Sequence, residues 1–400
     1  MEFNDRAQIH GRQVQTVRLL FPLMSSRLKV SKDPYAFRII LFILFIATSA
    51  YPLQAENHYA NHFKIEDFGT HRLIHLYNPL HQDHPERQYA LVPRGNALPK
   101  LPPDLPVIRT PVQRVIALET VPIGYLEALG ALDCLIGAGS VQYIASPLVR
   151  ERIDQGIIKP VAFGSALDSE NILLLQPDLV LLSADSNAGL GLPEPLLRAG
   201  LPIVPTAGYM EPHPLGRAEW LRVFAAFLEK ENEAEALFRN LVTNYERLRQ
   251  KMLLLSFRPT VFCQTPYSGI WHMPGGNSHT ARLIHDAGGH YLWAEDTGHT
   301  GIPLDPESVF LRAAKADYWI NPGTHRSLNS IIGADPRFSL FKAFKEKRVF
   351  NNTRMCRAGV GNPIHEQALV RPDDVLADLI HILHPQQLPD HQPVFYEQLH

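Results

Sequence analysis

From Arg114 onward, short apolar runs alternate with amphipathic stretches. RVIAL (114–118) reads as a strand, VPIGYLEALGALD (121–133) as a helix closing near Gly130, and CLIGAG (134–139) as a second strand. ENILLLQPDLVLLSAD (170–185) gives a short helix, a Pro-Asp turn and a strand at Leu179–Leu182. LLRAGLPIVPT (196–206) repeats helix, glycine turn and strand. Continuously apolar strands that alternate with helices predict a parallel sheet covered on both faces. The alternation then stops. After KENE (230–233), Leu237, Leu241, Tyr245, Leu248, Met252 and Leu255 recur at spacings of 3 and 4, one stripe along a single helix. Over 234–255 that helix would run ~33 Å, enough to cross between two lobes. The second half restarts the pattern: a strand in Arg258–Gln264, a helix at 280–289, helix–turn–strand over 306–323, a strand at 348–352 and a helix at 371–385 between Pro372 and Pro385.

The halves mirror each other. Glu170 opens a helix and Asp178 precedes an apolar strand; Glu307 opens a helix and Asp317 precedes an apolar strand. The expected fold class is therefore α/β, with two lobes, each a parallel sheet flanked by helices, joined by one long rigid helix. The expected segments are an N-terminal lobe at 114–232, the interlobe helix at 233–256 and a C-terminal lobe at 257–400.

Residues 39–50 read IILFILFIATSA, shorter than the ~20 apolar residues of a bilayer-spanning helix. Arg27, Lys29, Lys32 and Arg38 precede this run, and Ala47, Ser49, Ala50 and Ala55 follow it. Together they read as a secretory signal peptide over 1–55, with cleavage after Ala50 or Ala55. Residues 1–23 are long for a basic leader, which makes Met24 a candidate true start. A permanent N-terminal anchor is the competing reading. No cysteine follows the apolar run, so a lipid anchor is not indicated. Residues 56–113 form an N-terminal extension with short strands at His71–Leu76 and Tyr89–Val92, ending in the proline-rich LPKLPPDLPVIRTP.

Composition narrows the function. With 38 Lys+Arg against 40 Asp+Glu, the chain lacks the basic excess of a nucleic-acid binder, so no nucleic acid is expected. Removing 1–55 takes away a basic leader and leaves a mildly acidic exported protein. Three scattered cysteines (Cys134, Cys263, Cys356) make neither a disulfide scaffold nor a metal cluster; buried thiols are favoured, with a Cys263–Cys356 bridge as the alternative. No phosphate loop, GxGxxG, GxSxG or HExxH is present, which moves weight from enzyme to binding protein. His58, His62, His71, His75, His81 and His84 crowd the extension; HQDH (81–84) could chelate a metal, against the plainer reading of a solvated polar segment. Tyr143, Phe163, Tyr209, Tyr267, Trp271, His272, Arg354, Arg357 and His365 all fall on predicted loops. In open α/β sheets such loops, at the carboxyl ends of strands, hold ligands. Aromatic faces suit flat macrocycles or catecholates, and arginine suits an anionic chelate.

RVIALETVPIGYLEALGALDCLIGAG, SENILLLQPDLVLL, MEPHPLGRAEWL, MPGGNSHTARLIHDAGG, ADYWINPG and RPDDVLADLIHILHP, in that order, resemble the periplasmic binding proteins for iron–siderophore complexes and vitamin B12, in a subgroup common in the Bacteroidetes lineage. The resemblance covers about 114–386 well and 58–113 loosely. It implies a monomeric, non-enzymatic, periplasmic component of an ABC importer. Such a protein binds a ferric siderophore, haem or cobalamin in the interlobe cleft and hands it to a membrane permease powered by ATPase subunits. No resident cofactor is implied. Glu170 and Glu307 match the carboxylates that dock on permease arginines; capping of their own helices is the plainer role. Where related chains carry an aromatic pair, this one has Ile364-His365, and His365 could ligate a metal or haem iron. The alternative is a metal-binding scaffold or enzyme on the same two-lobed fold, or a metal buffer built on His58–His84.

Overall fold

The computed structural model describes residues 53–55, 57–77, 86–163, 166–183, 194–357 and 359–400. The signal-peptide reading, Met24, His81 and His84 lie outside them. Gln54–His400 forms one compact unit.

The N-terminal lobe is built on a parallel sheet in the order Ile203–Thr206, Leu179–Ser183, Val115–Ala117, Leu135–Ala138, Lys159–Pro160. Its strands are buried on both faces: Val115, Ile116, Ala117, Val180 and Leu181 are all fully inaccessible. This is why they read as unbroken apolar runs. The helix Val121–Ala128 ends where Gly130 takes φ +60°, a conformation that glycine adopts without strain. The C-terminal lobe repeats the plan with His290–Tyr291, Thr260–Cys263, Tyr318–Ile320 and Val349–Asn351 in parallel, closed by antiparallel Glu397–Gln398.

The helix Glu231–Leu253 joins the lobes. Its 23 residues span ~35 Å. Ala234 enters the N-lobe core, while Tyr245, Leu248 and Met252 enter the C-lobe core. The expected stripe is shifted at its start: Ala234 and Phe238 are buried, and Leu237 is exposed. Among the described residues, no helix is long and apolar enough to cross a membrane.

The segment read as an extension is a sheet of its own. Leu53–Ala55, Phe63–Asp67, Arg72–Tyr77, Glu86–Pro93 and Val107–Thr110 lie in that order, antiparallel through the middle pairs and parallel at the last. Phe63, Ile74, Leu76, Tyr89, Leu91 and Ile108 pack into the same core as the N-lobe sheet. Two buried carboxylates fix this sheet's leading edge. Glu219 accepts the backbone N–H groups of His58, Tyr59 and Ala60 at 2.7–2.9 Å. Glu211 accepts those of Asn61 and His62 at 2.9–3.0 Å.

All three cysteines are free thiols, so the Cys263–Cys356 bridge does not form. Cys263 is locked inside a central strand, fully buried, whereas Cys356 sits in a partly exposed turn. Burial raises the Cys134 thiol to about 11.

Candidate functional site

The N-lobe strand Ile203–Thr206 runs into a short turn, Gly208–Met210, and then the helix Pro214–Glu219. Across from it, the C-lobe strand Thr260–Cys263 runs into Gln264, and Ser278 caps the helix His279–Asp286 through the Ala281 N–H at 3.2 Å. Between these elements lie two chambers that share part of their lining. The outer one, about 780 Å³, is lined by Asn61, His62, Met210, His272, His299 and Thr300 among others. The inner one, about 230 Å³, adds Val121, Asn321, Asn352, Ile364 and His365. Tyr209, Arg217, Gln264, His279 and Thr280 line both.

Arg217 is the charge at this junction. Its Nε donates to the Glu211 carbonyl at 3.2 Å and one terminal nitrogen donates to the Tyr209 carbonyl. Nη1 has no hydrogen-bond partner among the described residues, and no carboxylate forms a salt bridge with the guanidinium there. Burial lowers Arg217 to about 10, so it stays cationic at neutral pH. Burial, with the Arg217 charge adding to it, drives His279 well below its ordinary value and lowers His365 in the same direction. Both shifts favour the neutral imidazole; the His279 Nε2 lies 3.5 Å from the Thr280 hydroxyl. His365 lines the inner chamber and is exposed. His213, which accepts the Leu215 N–H at 3.1 Å, is lowered by burial to about 4. Asn321 holds φ +54°, and its Oδ1 is buried without a hydrogen-bond partner.

A strap from the C-terminal half closes the inner chamber. Glu366, fully buried, accepts the N–H groups of Ala145 and Ser146 at 2.6 and 3.0 Å. A Cβ at Gly124 would come within 2.0 Å of the Glu366 carbonyl, and one at Gly361 within 1.7 Å of the Tyr143 carbonyl. Only glycine permits this approach at either place.

Residues 115–353 match the model of the periplasmic binding protein family. The chain belongs to that family. Among its relatives is an uncharacterized lipoprotein of Methanocaldococcus jannaschii, 26% identical over 306 residues, covering 74% of this chain and 71% of the relative. A periplasmic binding protein from Veillonella parvula has the same fold, with a TM-score of 0.56 at 16% identity, over 79% of this chain and 99% of that one. A periplasmic haem-binding protein from Pseudomonas aeruginosa matches at TM-score 0.53 and 16% identity, over 72% and 98%. Members of the family act as solute-binding components of ABC transporters.

In this periplasmic binding protein, three of the residues expected at the ligand line the chambers: Tyr209, His272 and His365. Others do not. Trp271 is fully buried in the C-lobe core, where its Nε1 donates to the Cys263 carbonyl at 2.8 Å, so it cannot meet a cleft ligand. Tyr267 is exposed at a turn and Arg354 at the surface, outside both chambers. Arg357 lines a separate hollow of about 150 Å³ with Arg150 and Gly361, and exposed Tyr143 meets Gly361 there. The side chain of Phe163 lies outside the described residues. The histidines of the leading sheet are dispersed: His62 faces Glu211, His71 stacks on Phe68, and His75 pairs with Glu66. Among the described residues, no group of three or more His, Cys, Asp or Glu is arranged to hold a metal. Arg217, Glu211 and His279 were not singled out by the sequence. Their signal was charge or imidazole inside the otherwise apolar or glycine-rich segments MEPHPLGRAEW and MPGGNSHTARL.

Proposed function

We propose that this is the extracytoplasmic binding component of an ABC importer, taking an anionic iron complex, a ferric siderophore or haem, in the interlobe cleft and delivering it to a membrane permease. The observation that carries this reading is Arg217. A desolvated cation without a carboxylate salt bridge, shared by both chambers, favours a ligand that brings its own negative charge. Neutral His279 and His365 beside it suit a metal chelate, because a lone pair is available without first losing a proton. The outer chamber's volume lies within the range of small-molecule sites. The solute-binding role of the family supports binding in preference to catalysis.

Asn321 favours a second reading. An orphaned buried acceptor would take an amide N–H, and cobalamin carries several.

The test is titration of the purified chain with ferric catecholate, ferric hydroxamate, haem and cobalamin, read by calorimetry. The ferric catecholate or haem, the anionic members of this set, should bind with Kd below about 10 µM, ~7 kcal/mol. Arg217→Met should weaken it at least tenfold, and His365→Ala should do so only if the metal is touched directly. Binding of none of the four overturns the reading; cobalamin alone selects the second one. In transport, Glu170→Lys or Glu307→Lys should impair uptake and leave these affinities unchanged.

A further inference from the structure

The mirrored carboxylates belong to a longer repeat. Asp168-Ser-Glu-Asn-Ile-Leu-Leu174 in the N lobe corresponds to Asp305-Pro-Glu-Ser-Val-Phe-Leu311 in the C lobe. Asp168 caps its helix by accepting the Asn171 N–H at 3.0 Å; Asp305 accepts the Ser308 N–H at 3.0 Å. Ile172 and Val309 are both fully buried and fix the rotation of each helix. Glu170 and Glu307 are therefore both turned outward. One turn later on the same face stand Leu174, 81% exposed, and Leu311, 86% exposed. Leucine at a solvated helix position makes no packing contribution to its own lobe. Its occurrence at the same place twice, each time beside a carboxylate, is not scattered surface apolarity.

We infer that Leu174 and Leu311 are paired apolar anchors for a partner that offers, twice, a shallow apolar notch beside a cation. This rests on the importer reading above. The occupant with that chemistry is a membrane-protein dimer whose two-fold axis places equivalent notches against the two lobes. The carboxylates orient the encounter and the leucines hold it, the division expected between charged and apolar contacts. Each contact alone is weak; two held on one frame act together through effective concentration.

The test uses the full chain in producing cells, with the photo-reactive residue p-benzoylphenylalanine at 174, at 311 or at 254. Leu254 is 88% exposed and lies outside the repeat. Capture of one and the same integral-membrane polypeptide from 174 and 311, and not from 254, is the expected result. Leu174→Ala and Leu311→Ala should each lower uptake of whichever of ferric catecholate, ferric hydroxamate, haem or cobalamin the chain binds about fivefold or more, with affinity for that complex and Tm unchanged, and the double variant should lose more than either. Equal capture from 254, different captured proteins at 174 and 311, a soluble captured protein, or uptake unmoved by both alanines overturns the inference. Glu170→Lys separates the two levels. If it abolishes uptake while the leucine variants do not, docking stands and the anchors fall; if neither has an effect, the importer reading falls with them.

Discussion

Glu170 and Glu307 occupy corresponding helices, but their surroundings differ. Glu170 has neither a hydrogen bond nor an ion pair among the described residues. Glu307 lies 3.3 Å from Arg337, which is also held by Asp335 at 2.7 Å and sits over the Phe310 ring. The interiors differ in the same sense. One face of the N-lobe sheet is packed by Ile116, Val180, Leu182 and Ile203, all aliphatic, and its aromatic residues Tyr125, Trp220, Phe224 and Phe227 lie on the other face. In the C lobe, Phe262, Trp271, Phe310, Trp319, Phe338 and Phe341 form a contiguous ring cluster with centroids 4.8–6.5 Å apart. One plan has been built twice with different materials. What the lobes share, the helix cap and the outward Glu-Leu pair, is what a symmetric partner would require. What they do not share is free to vary.

The largest expected effect sharpens that contrast. Trp271→Ala should lower the unfolding free energy by about 3–5 kcal/mol, because it empties the middle of the ring cluster. Denaturant unfolding measures it, and ligand affinity under native conditions should stay within a factor of two. A large affinity loss without destabilisation would return Trp271 to the cleft.

Next comes pH. Burial first, then the neighbouring Glu127 carboxylate, raises Glu366 to about 7, against the opposing pull of Arg150 and two backbone N–H groups. The folded value lies above the unfolded one. Its contribution is therefore full below the ordinary carboxylate range and is lost as pH rises through about 7. His279 and His365 act oppositely, since they are held neutral and weaken the fold only as pH falls below ~6.5. The Tm advantage of the native chain over Glu366→Gln should shrink between about pH 5 and 7, and the two should run parallel above that.

A third comparison asks whether the mirrored aspartates do one job. Asp178 accepts the N–H groups of Gln113 and Arg114 and pairs with Arg94; Asp317 accepts the Thr260 N–H and hydroxyl and pairs with Lys342. Each ties its own strand to the start of the neighbouring one. Asp178→Ala and Asp317→Ala should each cost about 1–3 kcal/mol. Unequal losses in denaturant melts would break the equivalence. The smallest effect is Arg337→Ala. It frees Glu307, makes the two carboxylates alike, and should leave Tm unchanged while raising the uptake rate by less than about threefold.

The architecture was legible because parallel strands covered on both faces leave unbroken apolar runs, and RVIAL, LVLL and TVFC fall within a residue or two of the observed strands. The leading sheet was read as an extension because its partner surface, at Glu211 and Glu219, lies far along the chain. The site was harder to read for a related reason. Trp271 and His272 are adjacent in the short strand Trp271–Pro274, with successive residues buried and exposed. Parity alone puts the histidine in the cleft and the tryptophan in the core, and the strand is too short to announce its phase. Arg217 and Glu219 look like the solvated face of a helix. The arrival of residues 58–60 makes the Glu219 side interior, and Arg217 is turned toward the Tyr209 and Glu211 carbonyls.

That arrival has a consequence for how the chain comes to be folded. The N–H groups of His58 through His62 meet their acceptors about 150–161 residues later in the sequence. A chain that emerges amino end first presents these donors long before Glu211 and Glu219 exist to receive them. The leading strands can pair with one another, but residues 58–62 must wait unpaired until the first lobe has followed them out. Assembly of this edge is then a late event, set by chain delivery more than by local preference. The lip of the cleft formed by Asn61 and His62 is completed only at that step.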